Sequence, residues 1–383
     1  MNGSHKFGIV AGEKSGDILG ASLMSAMMNY FPGAEFFGVG GSDMISLGCD
    51  SLCPIERLSV MGFIEPLRRL PELLSLKKKL QTKFLQERVS AFIGIDSPDF
   101  NLRLAKNLRE KGFKTVHFVS PSVWAYRPGR VLGIKESIDL MLTLFPFEED
   151  IYKKYHIQAE CVGHPLADQL SMENRGLNDR KNLNISENET VIALMPGSRV
   201  DEINRLAPIF FETAIESLQR YPHLKFLIPF SNSETELLIK SVMGRMHILE
   251  GDQFRVIDDS HEALGASDFV FAASGTATLE ALFLRKPMVI CYKLASISYF
   301  IGSRMLKIPY VGLPNLLAKD RIVPEYLQNA VTRDALLAEL DKFMADASSF
   351  SNVLIKFEQI HKELQGGASE KAACAIHKLV LEI

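Results

Sequence analysis

Short apolar runs alternate along this chain with longer stretches in which apolar residues return every third or fourth position. The first pattern reads as buried strand and the second as amphipathic helix. In the first half the strand runs are Phe7–Ala11, Glu35–Val39, Ala91–Ile95 and Lys114–Val119, with helices near Asp17–Tyr30, Glu72–Gln86 and Leu102–Lys111. A polar, Asn-rich stretch follows at Met172–Glu189, and the pattern then restarts. Strands are expected at Val191–Met195, Lys225–Pro229, Phe254–Ile257, Asp268–Ala272 and Pro287–Tyr292, with a long helix over Asp201–Arg220. Arg333–Leu340 and Ser369–Leu381 are helical with no strand between them. Such alternation specifies a mostly parallel sheet covered by helices. Its restart predicts an α/β protein with two Rossmann-like domains, 1–171 and 190–345, joined by a linker at 172–189. Residues 346–383 form C-terminal helices, the last of which can pack back on the first domain. Ligands of open parallel sheets sit beyond the carboxyl ends of the strands, so two such domains facing across a cleft would hold two substrates.

Composition narrows the class. A chain of 383 residues is too long for one small core, and a formal net charge of −3 argues against a general nucleic-acid binder. The cysteines (Cys49, Cys53, Cys161, Cys291, Cys374) are scattered, and Cys49 and Cys53 have no second pair at zinc spacing. Reduced thiols in a cytosolic protein are the expectation. The first apolar run is too short for a signal peptide, and no stretch approaches the ~20 uncharged apolar residues of a membrane span.

The richest chemistry follows Asp268–Ala272, where Ser274-Gly275-Thr276 opens a helical pattern. The first N–H groups of a helix lack intrahelical partners, and with the helix dipole they favour a phosphate; Ser274 and Thr276 hydroxyls can add donors. Glu280 lies one turn beyond Thr276 on the same face, where a carboxylate can accept from ribose hydroxyls. A Ser/Thr-capped helix with a surface glutamate explains the motif equally well. In the first half, Gly12, Glu13, Ser15 and Gly16 follow the first strand in a turn that is neither G-x-G-x-x-G nor a P-loop. These residues are expected to line a substrate, the alternative being a tight turn capped by Ser15 or Asp17. Asp96 ends a buried strand, a position where a carboxylate of raised pKa can act as general base. Asp99 and Asn101 follow it, at least one as a helix cap. The loop after Val119 holds Trp124, Tyr126, Arg127 and Arg130, suited to a sugar and a phosphate, although Trp124 alone reads better as a loop anchor. Arg199 can neutralise a leaving diphosphate or simply pair with Asp201 or Glu202. His164 reads as a packed loop histidine, and no metal-ligand spacing occurs.

AGEKSGD (11–17), VMGFIEPL (60–67), IGIDSPDFN (93–101), VSPSVWAYRPGRV (119–131), FPFE (145–148), VGHPLAD (162–168), PGSR (196–199), ASGTATLEAL (273–282) and LPNLLA (313–318) occur in order across nearly the whole chain. Together they resemble the lipid-A-disaccharide synthase family of bacterial glycosyltransferases. Lys14, Ser42 and Tyr126 depart from the expected pattern. The resemblance implies the GT-B fold and an inverting transfer from UDP-2,3-diacylglucosamine to 2,3-diacylglucosamine 1-phosphate (lipid X), giving a β-1,6-linked disaccharide 1-phosphate and UDP. It implies Asp96 as general base, Arg199 as an essential residue, and Ser274, Gly275, Thr276, Glu280 and Asn315 as the UDP site, with no metal and no cofactor. The implied partners are the two lipid substrates and the cytosolic face of the inner membrane, with no nucleic acid and with a homodimer left open.

Acyl substrates change the reading of residues 63–79. Phe63, Leu67, Leu70 and Leu74 recur at helical spacing beside Leu73, with Arg68, Arg69, Lys77, Lys78 and Lys79 able to meet anionic head groups. A peripheral membrane patch is expected there, against the alternative of a helix buried on the sheet. Two other classes stay open at this point: a nucleotide-sugar epimerase of the same architecture, and a non-catalytic binder of UDP-lipids. An oxidoreductase lacks its fingerprint.

Overall fold

The computed structural model describes residues 4–58, 69–124, 129–170, 175–294 and 309–382. They contain two sheets in which every pairing is parallel. The strands of the first are β1 (Lys6–Ala11), β2 (Glu35–Val39), β3 (Cys49–Ser51), β4 (Ala91–Ile95), β5 (Lys114–Phe118), β6 (Leu140–Thr143) and β7 (Ala159–Cys161). They lie in the order β3-β2-β1-β4-β5-β6-β7. The second has β8 (Val191–Met195), β9 (Lys225–Pro229), β10 (Phe254–Ile257), β11 (Phe269–Ala273), β12 (Met288–Tyr292) and β13 (Glu325–Leu327), in the order β10-β9-β8-β11-β12-β13.

These are doubly wound sheets. Parallel strands need crossovers, and helices laid over both faces bury them completely. Phe7, Ile9, Val10, Phe92 and Ile93 are fully buried in the first sheet, as are Ile192, Leu194, Phe269 and Phe271 in the second. In each sheet the strand order reverses once, between β1 and β4 and between β8 and β11. The crevice outside the strand ends at such a reversal is where ligands of this architecture bind. The chain thus has two Rossmann-like domains in succession, the pair that makes up the GT-B fold.

The chain divides into Met1–Pro165 with Leu364–Ile383, and Leu166–Glu363. The expected linker at 172–189 therefore needs correcting. Arg175–Asn182 is a helix of the second domain, packed on helix Ser260–Ala266. Its Arg180 is buried, donating to Asp268 at 2.6 Å and to the carbonyls of Ser186 and Glu189. Polar composition concealed a helix whose anchor is a partly buried ion pair rather than an apolar stripe. The C-terminal helices also divide. Ser351–Leu364 lies in the second unit up to its last residue, whereas Ala368–Leu381 packs on helix Lys14–Tyr30 of the first. Tyr30 and Phe31 meet the His377 ring at a tilt, Asn29 bonds Glu370, and Ser369 bonds Ser22.

Candidate active site

At the reversal in the second sheet, loops after β8, β9, β10 and β11 surround a pocket of about 530 Å³. Helix Thr276–Phe283 starts at its wall, and Ser274, Gly275, Thr276, Ala277 and Glu280 all line it. Gly275 is extended (φ 166°), and a Cβ on it would meet nothing within 4 Å. Neither strain nor packing inside the protein requires glycine there. What its small size leaves is bare backbone on the pocket side. The Ser274 hydroxyl is not a spare donor, because it donates to the Val311 carbonyl at 2.9 Å. Thr276, exposed at the helix tip, makes no such side-chain bond among the described residues.

Glu280 sits deeper, with 14% of its side chain exposed and His261 Nε2 3.5 Å from its carboxylate. Burial pushes its carboxyl above the ordinary value, while His261 and Ser260 pull the other way. His261 belongs to helix Ser260–Ala266, whose first N–H groups are capped by Asp259 Oδ1 at 2.8 and 3.1 Å. Asn315 departs from expectation. It is fully buried, donates to Val323 O at 3.0 Å and Glu325 Oε1 at 2.8 Å, and accepts from the N–H groups of Ile322 and Val323. All four hydrogen-bonding positions of its amide are consumed in holding the 313–325 loop, and it is absent from the pocket lining.

The turn after β8 is built around Glu202. Gly197 has φ +119°, and a Cβ there would overlap the Glu202 carboxylate; Ser198 N donates to that carboxylate at 3.2 Å. Arg199 pairs with Glu202 at 3.4 Å yet keeps 72% of its side chain exposed. So weak a surface pair leaves the guanidinium available to an anion.

At the reversal in the first sheet stand the 12–16 turn and Asp96. Asp96 and Ser97 are both left-handed, at φ 51° and 41°, and a Cβ on Gly12 would overlap the Ser97 hydroxyl. Burial raises the Asp96 carboxyl above the usual carboxylate range, partly offset by the Ser97 N–H. Neither expected cap forms. Asp99 pairs with Arg130 at 2.7 Å, and Asn101 turns inward under the strand ends. Ser15 is exposed and caps nothing, while Gly16 packs on Ala11. Asp17, buried, instead accepts from Gly41, Asp43 and Met44 N–H groups to cap helix Ser42–Ser46.

Trp124 is half-buried and tied down by protein partners. Its Nε1 donates to Glu148 at 3.1 Å, and its ring meets Phe147 edge-on at 5.2 Å. Glu148 is buried and also accepts from Phe145 N at 3.1 Å. Burial pushes it up to about 7 against several hydrogen bonds that favour the carboxylate. His164 is buried and stacks on Phe145. Arg127, Phe63 and Leu67 lie outside the described residues. Leu70 and Leu74 are exposed and Leu73 half-buried on helix Leu70–Glu87. The sequence reading placed Glu202 only as a partner for Arg199 and Asn101 only as a helix cap, and it missed His261 and Glu148 as site-building residues. The signal for Glu202 was its place in the first helical turn, five residues after Gly197.

The family model for Lipid-A-disaccharide synthetase matches residues 7–379. The chain belongs to this family. The lipid-A-disaccharide synthase of Alcanivorax borkumensis is 44% identical over 373 residues, 97% of each chain. That of Saccharophagus degradans is 45% identical over 378 residues, 98% of this chain and 97% of the relative. Membership carries the class of activity, a glycosyltransferase of lipid A biosynthesis. Among solved structures, UDP-GlcNAc 2-epimerase from Neisseria meningitidis bound to UDP-GlcNAc superposes with a TM-score of 0.64 at 10% identity, covering 99% of this chain and 100% of that one. A likeness at that identity shows shared fold alone, so the epimerase reading gains nothing from it. Family membership also sets aside the non-catalytic binder.

Proposed function

We propose that this chain transfers 2,3-diacylglucosamine from its UDP conjugate to the 6-hydroxyl of 2,3-diacylglucosamine 1-phosphate, releasing UDP and a β-1,6-linked disaccharide 1-phosphate. The carrying observation is Asp96: a half-buried carboxylate of raised pKa, held left-handed at the sheet's reversal point. In this reading Asp96 takes the proton of the acceptor hydroxyl as its oxygen attacks the anomeric carbon. The bond from that carbon to the β-phosphate oxygen breaks with inversion, and its electron pair leaves on UDP. The second-domain pocket takes the UDP: Glu280 accepts from the ribose hydroxyls, and the backbone at Gly275–Thr276, the Thr276 hydroxyl and Arg199 meet the diphosphate. Charge on the leaving group is thereby assigned to these groups, with no metal or cofactor. Gly12, Glu13, Ser15 and Gly16 would border the acceptor; Arg127, whose charge suits its phosphate, lies outside the described residues.

Both substrates carry acyl chains, and this supports attachment of the first domain to the cytosolic face of the inner membrane through Leu70, Leu73 and Leu74; Phe63 and Leu67 of the expected patch lie outside the described residues. Among the described residues no helix is long and apolar enough to cross a membrane. The test uses UDP-2,3-diacylglucosamine and lipid X, with products read by mass spectrometry. Asp96→Asn should lose roughly 10²–10⁴-fold in turnover, the usual worth of a general base, with UDP affinity unchanged. Near-normal turnover would remove Asp96 from the chemistry.

A further inference from the structure

Two consecutive non-glycine residues in the left-handed region are costly and persist only where their surroundings fix them. At Asp96–Ser97 the fixing group is a side chain the proposed chemistry does not use. Asn101, one turn into helix Pro98–Arg109, is fully buried. Its Nδ2 lies 3.2 Å from Val10 O, 3.2 Å from Ile95 O and 2.8 Å from Asp96 O. One amide nitrogen thus joins the last turns of β1 and β4, on either side of the sheet's reversal, to the carbonyl of the candidate base. The contact to Asp96 is the shortest of the three. From the opposite side Asp96 N donates to Phe118 O at 2.9 Å, extending the β4–β5 ladder by one residue. Gly94 leaves the room that the amide occupies, since a Cβ there would lie 2.8 Å from Asn101 Cβ.

We infer that Asn101 is a positioning residue, which sets the direction of the Asp96 carboxylate by clasping the Val10, Ile95 and Asp96 carbonyls without touching substrate. This rests on the reading of Asp96 as base. A carboxylate at position 101 has no N–H for the three carbonyls, and a serine has a single shorter donor. Displacement of a catalytic group by about 1 Å can cost on the order of 10²-fold.

The test is a double-mutant cycle on the full chain, with Asn101→Ser and Asn101→Asp made in the native and in the Asp96→Asn background. Expected is a loss of kcat on the order of 10²-fold in the native background, KM and UDP affinity within about twofold, and little further loss when Asp96 is already Asn. Losses that multiply in the two backgrounds, an unchanged kcat, or a loss confined to KM would overturn the inference. If neither Asn101 variant folds, Asn101 is a stability element only and the inference falls. Full turnover in Asp96→Asn alone would instead remove the base reading, a result the cycle reports separately.

Discussion

Glu280 is the carboxylate proposed to accept from the ribose hydroxyls. It is largely buried beside His261, at the wall of a pocket that starts on a helix N-terminus. Glu280→Gln keeps the shape and removes the charge, so UDP binding should weaken by about 1.5–3 kcal/mol, the worth of a charge-assisted hydrogen bond. Calorimetry finding equal affinity would refute the ribose contact. Glu148 makes a different prediction. Its value rises from the model-compound 4.5 to about 7 by burial. The folded chain therefore keeps a proton that the unfolded chain releases, and this group's contribution to stability falls as pH rises from about 4.5 to about 7. Glu148→Gln should flatten that slope, measured as denaturant midpoints at pH 5 and pH 8; an unchanged slope would assign the pH dependence elsewhere. Asp96 and Glu280 were legible because strand ends and helix faces can be counted along the chain. Asn101 and Glu148 were not, because their partners, Val10 and Trp124, come from distant segments.

Helix Leu70–Glu87 has two apolar faces. Leu76, Leu80 and Phe84, four residues apart, are buried, whereas Leu70 and Leu74 remain 39% and 49% exposed. Counting apolar positions cannot say which face packs on the sheet. The double change Leu70→Ser and Leu74→Ser should leave the melting temperature nearly unchanged, because exposed side chains contribute little to stability. Co-sedimentation with anionic liposomes should fall, with Lys77, Lys78 and Lys79 supplying only residual attraction. Undiminished sedimentation would place the membrane contact elsewhere. Helix Arg175–Asn182 teaches the converse lesson. Five asparagines between 172 and 189 read as linker, yet a helix forms because Arg180 satisfies Asp268 and two carbonyls at once.

At the scale of the whole chain, the last helix belongs to the first domain. Ending the chain at Leu364 should therefore destabilise the first domain, whose helix Lys14–Tyr30 loses its cover, and leave the second domain's pocket intact. Glycosyl transfer should be lost while calorimetric UDP affinity stays within about twofold, a dissociation that domains with separate cores permit. Simultaneous loss of UDP binding would show that the second domain depends on the last helix.

The order of apolar runs by itself determined two parallel α/β domains, because a strand covered on both faces must be apolar throughout and a surface helix must repeat every 3.6 residues. Ordered motifs determined the family, and strand ends located Asp96, Arg199 and the Ser274–Glu280 segment. Tertiary structure alone decided that the chain crosses between domains at Pro165 and returns at Leu364. It also decided that Asn315 and Trp124 spend their polar atoms inside the protein, and that Asn101 grips the carbonyl of Asp96. Periodicity records only that a face of an element is apolar. It carries no record of what covers that face, since a hydrogen-bond partner 91 residues away leaves no trace in local spacing.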